Sequence, residues 1–164
     1  MIPERVRTVL DEHGLTALEF EPGSTPTAPT AAEKIGVSVG QIAKSMLLRG
    51  KDGKYRLFVL AGDHRISSAK VKAVTGSKHS MCSSEETTRV TGFRPGGVCP
   101  FGLTGDGPER QDRPEIDVYL DRSLEQYSVV YPAAGTDSSG VPVSPDALRT
   151  ITGGRVCEVS ERPG

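Results

Sequence analysis

Apolar and polar positions along the chain follow two periods. Ile2, Val6, Val9 and Leu10 recur at helical spacing ahead of Gly14, which predicts an amphipathic helix over Pro3–His13. Elsewhere the period shortens to two. Leu18 and Phe20 alternate with charged residues, predicting a short strand that ends at Pro22. Ile42 to Leu48 is a largely apolar run broken by Lys44 and Ser45. The turn-like Arg49–Gly53 and the apolar Tyr55–Ala61 follow, so the pattern predicts a hairpin. Ile116, Val118 and Leu120 alternate with Asp117, Tyr119 and Asp121, the clearest strand signal in the chain. Ser128–Ala133 and Val141–Val143 read as a second hairpin around Gly135–Gly140, and Arg155–Val159 as a last strand.

Capping signals place helices between these strands. After a turn-rich loop from Pro22 to Pro29, Thr27 or Thr30 is positioned to cap a helix running through Ile35 and ended by Gly36. Thr30 and Glu33 would form a capping box if Thr30 is the cap. Ser67 or Ser68 caps a helix to Val74, and Ser80–Cys82 is a short strand. Ser83 or Ser84 caps a helix to Val90, with Glu85 and Glu86 in the first turn, where acids suit the dipole. Ser144-Pro145-Asp146 starts a helix that stops at Gly153-Gly154. Strands with helices inserted between them, and several hairpins, do not make a regular βα alternation. The order predicts an α/β (mixed α+β) fold, with a curled or barrel-like mixed sheet surrounded by short helices. With 164 residues and no internal repeat or linker, one domain over residues 1–164 is expected.

Composition narrows the function classes. The formal net charge is -1, from twenty Lys plus Arg against twenty-one Asp plus Glu. That balance argues against wrapping a nucleic-acid duplex, yet leaves room for gripping the end of one strand. Cys82, Cys99 and Cys157 are too few and too widely spaced for a disulfide framework or a zinc site. The first ten residues carry Glu4, Arg5 and Arg7 and do not read as a signal peptide. No apolar run reaches membrane-spanning length, so a cytoplasmic protein with no membrane partner is expected.

Two features carry candidate chemistry. Lys44 shares a strand face with Ile42 and Met46. Such a lysine either snorkels to a sheet edge or directs an ammonium at an anion. The second feature is the loop Pro95-Gly96-Gly97-Val98-Cys99-Pro100-Phe101-Gly102. Its paired glycines allow backbone N–H groups to approach a ligand, and its prolines stiffen it; an ordinary tight loop has the same composition. Cys99 as a nucleophile would need a base from His13, His64 or His79, and nothing in the sequence pairs them. His64 and Asp137 fit solvated turns. The glycines form neither GxGxxG nor a P-loop.

In order and spacing, these pieces resemble one family. They are Ala31-Ala32 with Gly36-Val37, Ile42-Ala43-Lys44-Ser45, Ala61-Gly62-Asp63, Thr91-Gly92-Phe93 leading into Gly96–Gly102, Ala134-Gly135-Thr136, and Ser144 to Leu148. The chain, from about Thr27 to Val159, resembles the free-standing aminoacyl-tRNA deacylases of the YbaK type, related to the editing domain of bacterial prolyl-tRNA synthetases. The resemblance implies hydrolysis of the ester between a wrong amino acid and the terminal adenosine of tRNA. Lys44 matches the family's lysine, and Gly96–Pro100 its G-x-x-x-P loop. Gly96, Gly97 and Val98 would supply oxyanion donors. Ser45, Cys99, Pro100, Phe101, Gly102, Gly135 and Thr136 would contact substrate. No metal or cofactor is implied. The partners implied are the acceptor end of tRNA and a synthetase, for a monomer or weak dimer. Some relatives carry a histidine near the last pocket loop, where Tyr131–Gly135 offers none, so their substrate preference does not transfer. The polar stretch Thr104–Arg113 reads as a mobile, lineage-specific insertion. The competing readings are a non-catalytic module that binds tRNA or a synthetase, and a peptidase- or esterase-like enzyme using Cys99.

Overall fold

The computed structural model describes residues 1–103 and 114–163, so the stretch expected to be a mobile insertion, Thr104–Arg113, lies outside the described residues. The chain opens with α1 (Glu4–Glu12), β1 (Leu18–Glu19) and α2 (Ala28–Ile35). A 3-10 turn, Val39–Gln41, leads into the long hairpin of β2 (Ile42–Gly50) and β3 (Tyr55–Ala61). Next come β4 (Arg65–Ile66), α3 (Ser68–Thr75), β5 (His79–Met81) and α4 (Ser84–Thr91). The second part holds β6 (Ile116–Asp121), a 3-10 turn at Arg122–Gln126, β7 (Tyr131–Pro132) and β8 (Ser139–Gly140). It ends with α5 (Pro145–Thr152), β9 (Arg155–Cys157) and β10 (Ser160–Glu161).

The main sheet runs β5-β2-β3-β6-β9, with β7 also on β2. β2 pairs antiparallel with β3 and β5, while the β3–β6, β6–β9 and β2–β7 pairs are parallel. The sheet is mixed, as the element order predicts. It is open rather than closed into a barrel, because no pairing among the described residues joins β5 to β9. β3 lies at the centre with both faces covered, which explains its unbroken apolar run. Leu57 and Val59 pack into a large cluster with Val6 and Leu10 of α1, Val90 of α4 and Leu148 of α5. Phe58 and Leu60 face the other way, toward Val71 of α3, Tyr119 and Val159.

Local signals set most boundaries. Thr27 caps α2 and Thr30 answers it reciprocally, so the capping box is Thr27–Thr30 and not Thr30–Glu33. Ser67, Ser83 and Ser144 cap α3, α4 and α5. The expected hairpin of Ser128–Ala133 with Val141–Val143 is reduced to one bridge, Val130 to Val143. The ends of this segment pair elsewhere: β7 lies along β2, and β8 along β1. The expected last strand divides into β9 on β6 and β10 on β4.

Asp121 makes that division possible. Its buried carboxylate accepts from Ser123 N–H (3.1 Å), Val159 N–H (2.7 Å) and Ser160 Oγ (2.5 Å), tying β6 to the chain after β9. Burial alone would push this carboxyl up; the hydrogen bonds from Ser123, Ser160 and Val159 outweigh it and hold the carboxyl below the usual range. A carboxyl lowered on folding stabilises the fold above its unfolded value near ~3.9, and the benefit disappears as pH falls. Asp121→Asn is therefore expected to be less stable than the parent at pH 7. Its melting temperature should also fall less than the parent's between about pH 4 and pH 2. For the core, Phe58→Ala, at a fully buried position, is expected to cost roughly 3–5 kcal/mol by denaturant titration.

Candidate active site

A cavity of about 390 Å³ opens where the outer edge of β2 is left uncovered. β5 covers that edge at Leu48–Gly50 and β7 covers it at Ile42–Ala43. Between them the edge has no neighbouring strand among the described residues, and Ala43 to Leu47 form the cavity floor. One end is flanked by Met81 and Cys82, with Ser84 and Thr87 of α4; the other by Tyr131 and Ala133. The loop Thr25–Thr27 with α2, and Pro95, Gly96 and Val98, complete the walls.

Lys44 and Ser45 lie on opposite faces of β2, as strand alternation requires. Ser45 shares its face with Ala43 and Leu47, which join the large cluster. Its hydroxyl oxygen is buried and has no hydrogen-bond partner. Lys44 leaves from the other face. Its ammonium donates to the carbonyls of Gly62 (3.4 Å) and His64, leaving a third N–H for another acceptor. Burial pushes the Lys44 pKa down, while the nearby Asp63 carboxylate pulls it up.

The glycine loop is shaped by close approach. Gly96 has φ +87°, and a Cβ there would lie 3.1 Å from Pro26 Cα. A Cβ at Gly97 would lie 2.9 Å from the Gly135 carbonyl and from Thr136 Cα, so only glycine lets these two loops touch. Gly97 N–H donates to Arg94 C=O (3.0 Å) and is consumed in the turn. The N–H groups of Gly96 and Val98 have no partner among the described residues.

Of the residues expected to form the site, the fold brings Lys44, Ser45, Gly96 and Val98 to the cavity. The others stand outside its lining. Cys99 and Phe101 are core residues at 0% and 1% exposure, Pro100 is buried, and Gly102 lies against Arg5. Gly135 and Thr136 support the wall from behind: Thr136 Oγ1 donates to Ser139 Oγ (2.8 Å), which accepts from Ala134 N–H (3.0 Å). Burial pushes the Cys99 thiol up to about 12, and its sulfur faces the Phe101 carbonyl rather than a histidine. His64 Nδ1 is 3.0 Å from Ser160 Oγ, outside the cavity. Asp137 holds a loop, accepting from Gly23 N–H (3.1 Å) while its carbonyl accepts from Thr25 N–H.

Sequence reasoning did not point to Thr25–Ala28, Met81, Cys82, Thr87, Tyr131 or Ser139. Met81, a large apolar side chain left 57% exposed, marks the site only once the fold is known. Among the described residues, no group of three or more His, Cys, Asp or Glu is arranged to hold a metal, and no helix is long and apolar enough to cross a membrane.

Comparison with known proteins identifies the family of the chain. The chain is 41% identical over 138 residues to the uncharacterized protein YwhH of Bacillus subtilis, spanning 84% of this chain and 82% of that one. It is 23% identical over 137 residues to EbsC of Enterococcus faecalis, a candidate Cys-tRNA(Pro)/Cys-tRNA(Cys) deacylase, spanning 83% and 78%. Among solved structures, a candidate trans-editing enzyme for prolyl tRNA synthetase superposes with a TM-score of 0.81 at 32% identity, over 98% of this chain and 99% of that one. Residues 22–151 match the family model for the aminoacyl-tRNA editing domain, and the chain belongs to that family.

Proposed function

We propose that this chain is a trans-editing hydrolase. It would remove a wrongly attached small amino acid, such as Cys or Ala, from the terminal adenosine of a tRNA such as tRNA-Pro. The observation that carries the reading is the cavity itself. A space of about 390 Å³ is of the size that encloses a small ligand, and Lys44, Ser45, Gly96 and Val98 border it, the last two with N–H groups that have no partner among the described residues. Membership in the editing family supports the same reaction class.

An aminoacyl ester is already activated, so orientation and charge stabilisation suffice. A water oxygen attacks the ester carbonyl carbon, assisted by the neighbouring ribose hydroxyl. Negative charge gathers on the carbonyl oxygen, where the N–H groups of Gly96 and Val98 receive it. The bond to the ribose oxygen then breaks, that oxygen takes a proton, and free amino acid and tRNA leave. Lys44, with one N–H to spare, meets an anionic oxygen of the tRNA end. Gly97 acts indirectly, by letting the two loops meet. The whole chain serves as one editing domain in the cytoplasm. It contacts the acceptor end alone, with a synthetase supplying further tRNA contacts, which suits a net charge of -1.

A deacylation panel of Cys-, Ala- and Ser-tRNA-Pro tests the reading. At least one is expected to turn over, with kcat/KM falling about tenfold to a hundredfold in Lys44→Ala. Binding of tRNA without turnover would instead make the chain a non-catalytic module. Burial holds the Cys99 and Cys82 thiols near about 12. Iodoacetamide at pH 7.5 should therefore leave Cys99 unlabelled and the deacylation rate unchanged. Loss of activity tracking Cys99 labelling would favour a thiol mechanism.

A further inference from the structure

The uncovered edge of β2 has a defined chemistry. Leu47 C=O accepts from Cys82 N–H (3.2 Å), and Lys51 N–H donates to Lys78 C=O (2.8 Å), both on the outer side. Gly50 N–H turns inward to Lys54 C=O (2.9 Å). In-plane direction alternates along a strand, so Ser45, two residues before Leu47, directs both its N–H and its C=O outward. Neither β5 nor β7 reaches it: the pairing of β5 begins at Leu48, and that of β7 stops at Ala43. The main chain of Ser45 therefore faces the cavity with one donor and one acceptor. Its hydroxyl is buried on the face shared with Ala43 and Leu47, so the main chain is what Ser45 offers to the cavity.

We infer that the cavity binds the α-aminoacyl group as a one-residue strand added to the edge of β2, an inference that rests on the deacylase reading above. Residues directly opposite in an antiparallel pair exchange two hydrogen bonds. A single aminoacyl unit carries the matching set. Its ammonium donates to Ser45 C=O, and its ester carbonyl accepts from Ser45 N–H. The gap admits only a short ligand. From Lys44 to Leu47, at about 3.3 Å per residue, there is room for one or two extended residues between the flanking strands. In this arrangement the ester carbonyl is held from the floor by Ser45 N–H and from the wall by Gly96 and Val98. The ligand class is a primary α-amine adjacent to an acyl carbon; side-chain identity enters only through the remaining walls.

The test uses two non-hydrolysable amides of 3′-amino-3′-deoxyadenosine, one alanyl and one propionyl, which differ only in the ammonium. The alanyl amide is expected to bind the wild-type protein at least about tenfold more tightly. In ¹⁵N NMR the Ser45 amide should exchange with solvent far faster than the β3-paired Met46 amide. On saturation with the alanyl amide, its resonance should shift and its exchange should slow at least about tenfold. Ser45→Pro deletes an N–H that faces outward, a place where an edge strand tolerates proline. It is expected to lose about tenfold more affinity than Ser45→Ala, which deletes only the hydroxyl. Equal affinity for the two amides, or an unmoved Ser45 amide at saturation, would overturn the inference. If Ser45→Pro does not fold, the wild-type amide measurement decides. Turnover of aminoacyl-tRNA with an unmoved Ser45 amide removes this inference and leaves the deacylase reading standing. Binding of the alanyl amide at Ser45 with no turnover does the reverse.

Discussion

The structure depends on an interruption in sheet pairing. β2 is the second strand of its sheet, yet its outer edge is covered only at the two ends, by β5 antiparallel and by β7 parallel. A strand edge ordinarily invites pairing, and a protein must protect it. Here the protection comes from the loop Thr25–Thr27, the start of α4 and the glycine loop, which arch over the gap at a distance and leave the cavity beneath them. Two short strands running in opposite senses beside one long strand cannot merge into a continuous neighbour. The gap is thus built into the topology and does not depend on any one side chain.

At that gap two consecutive residues of one strand border the cavity. Ser45 buries its hydroxyl on the face of Ala43 and Leu47, while Lys44 sends its ammonium around the other side to the carbonyls of Gly62 and His64. Side chains of consecutive residues leave on opposite faces, and what the open edge itself offers to the cavity is main chain. The loop holding Lys44 is itself anchored. Ser160 Oγ donates to Asp121, which leaves its lone pairs to accept from His64 Nδ1–H. The acid that joins β6 to the last strand thereby also steadies the carbonyls that hold the lysine.

Much of this was legible in the residues. The alternation over Ile116–Asp121, the apolar run Tyr55–Ala61 and the serine caps of the later helices specify local structure without help from the rest of the fold, and they match the structure. Lys44 and the paired glycines stood out because each is costly where it lies: a lysine among apolar neighbours, and two flexible residues in succession. The misreadings share one cause. The stretch from Ser128 to Val143 has the composition of a hairpin, but its strands find better partners on β2 and β1, a long-range choice that local pattern does not encode. Cys99 and Phe101 sit next to the cavity in sequence, yet the turn rotates them into the core. Thr25, Cys82 and Tyr131 come to the site only through pairing of distant segments, so no spacing in the chain announces them.

The glycine loop shows how a site can be made mostly of main chain. Gly97 contributes no free donor, because its N–H closes the turn on Arg94. Its missing side chain instead permits contact with Gly135 and Thr136, and the second loop is braced in turn by Ser139 and by Thr25 on Asp137. Two loops locked together fix the N–H groups of Gly96 and Val98 before any ligand arrives, which is the preorganisation the proposed reaction would call on. Main-chain donors cannot be protonated or oxidised, and they do not change with the substrate's side chain. Under the proposed function, a cavity gripping an ester through such groups would read the aminoacyl linkage itself, and choice among amino acids would fall to the shape of the few side chains that remain, Met81, Cys82, Thr87 and Tyr131 among them.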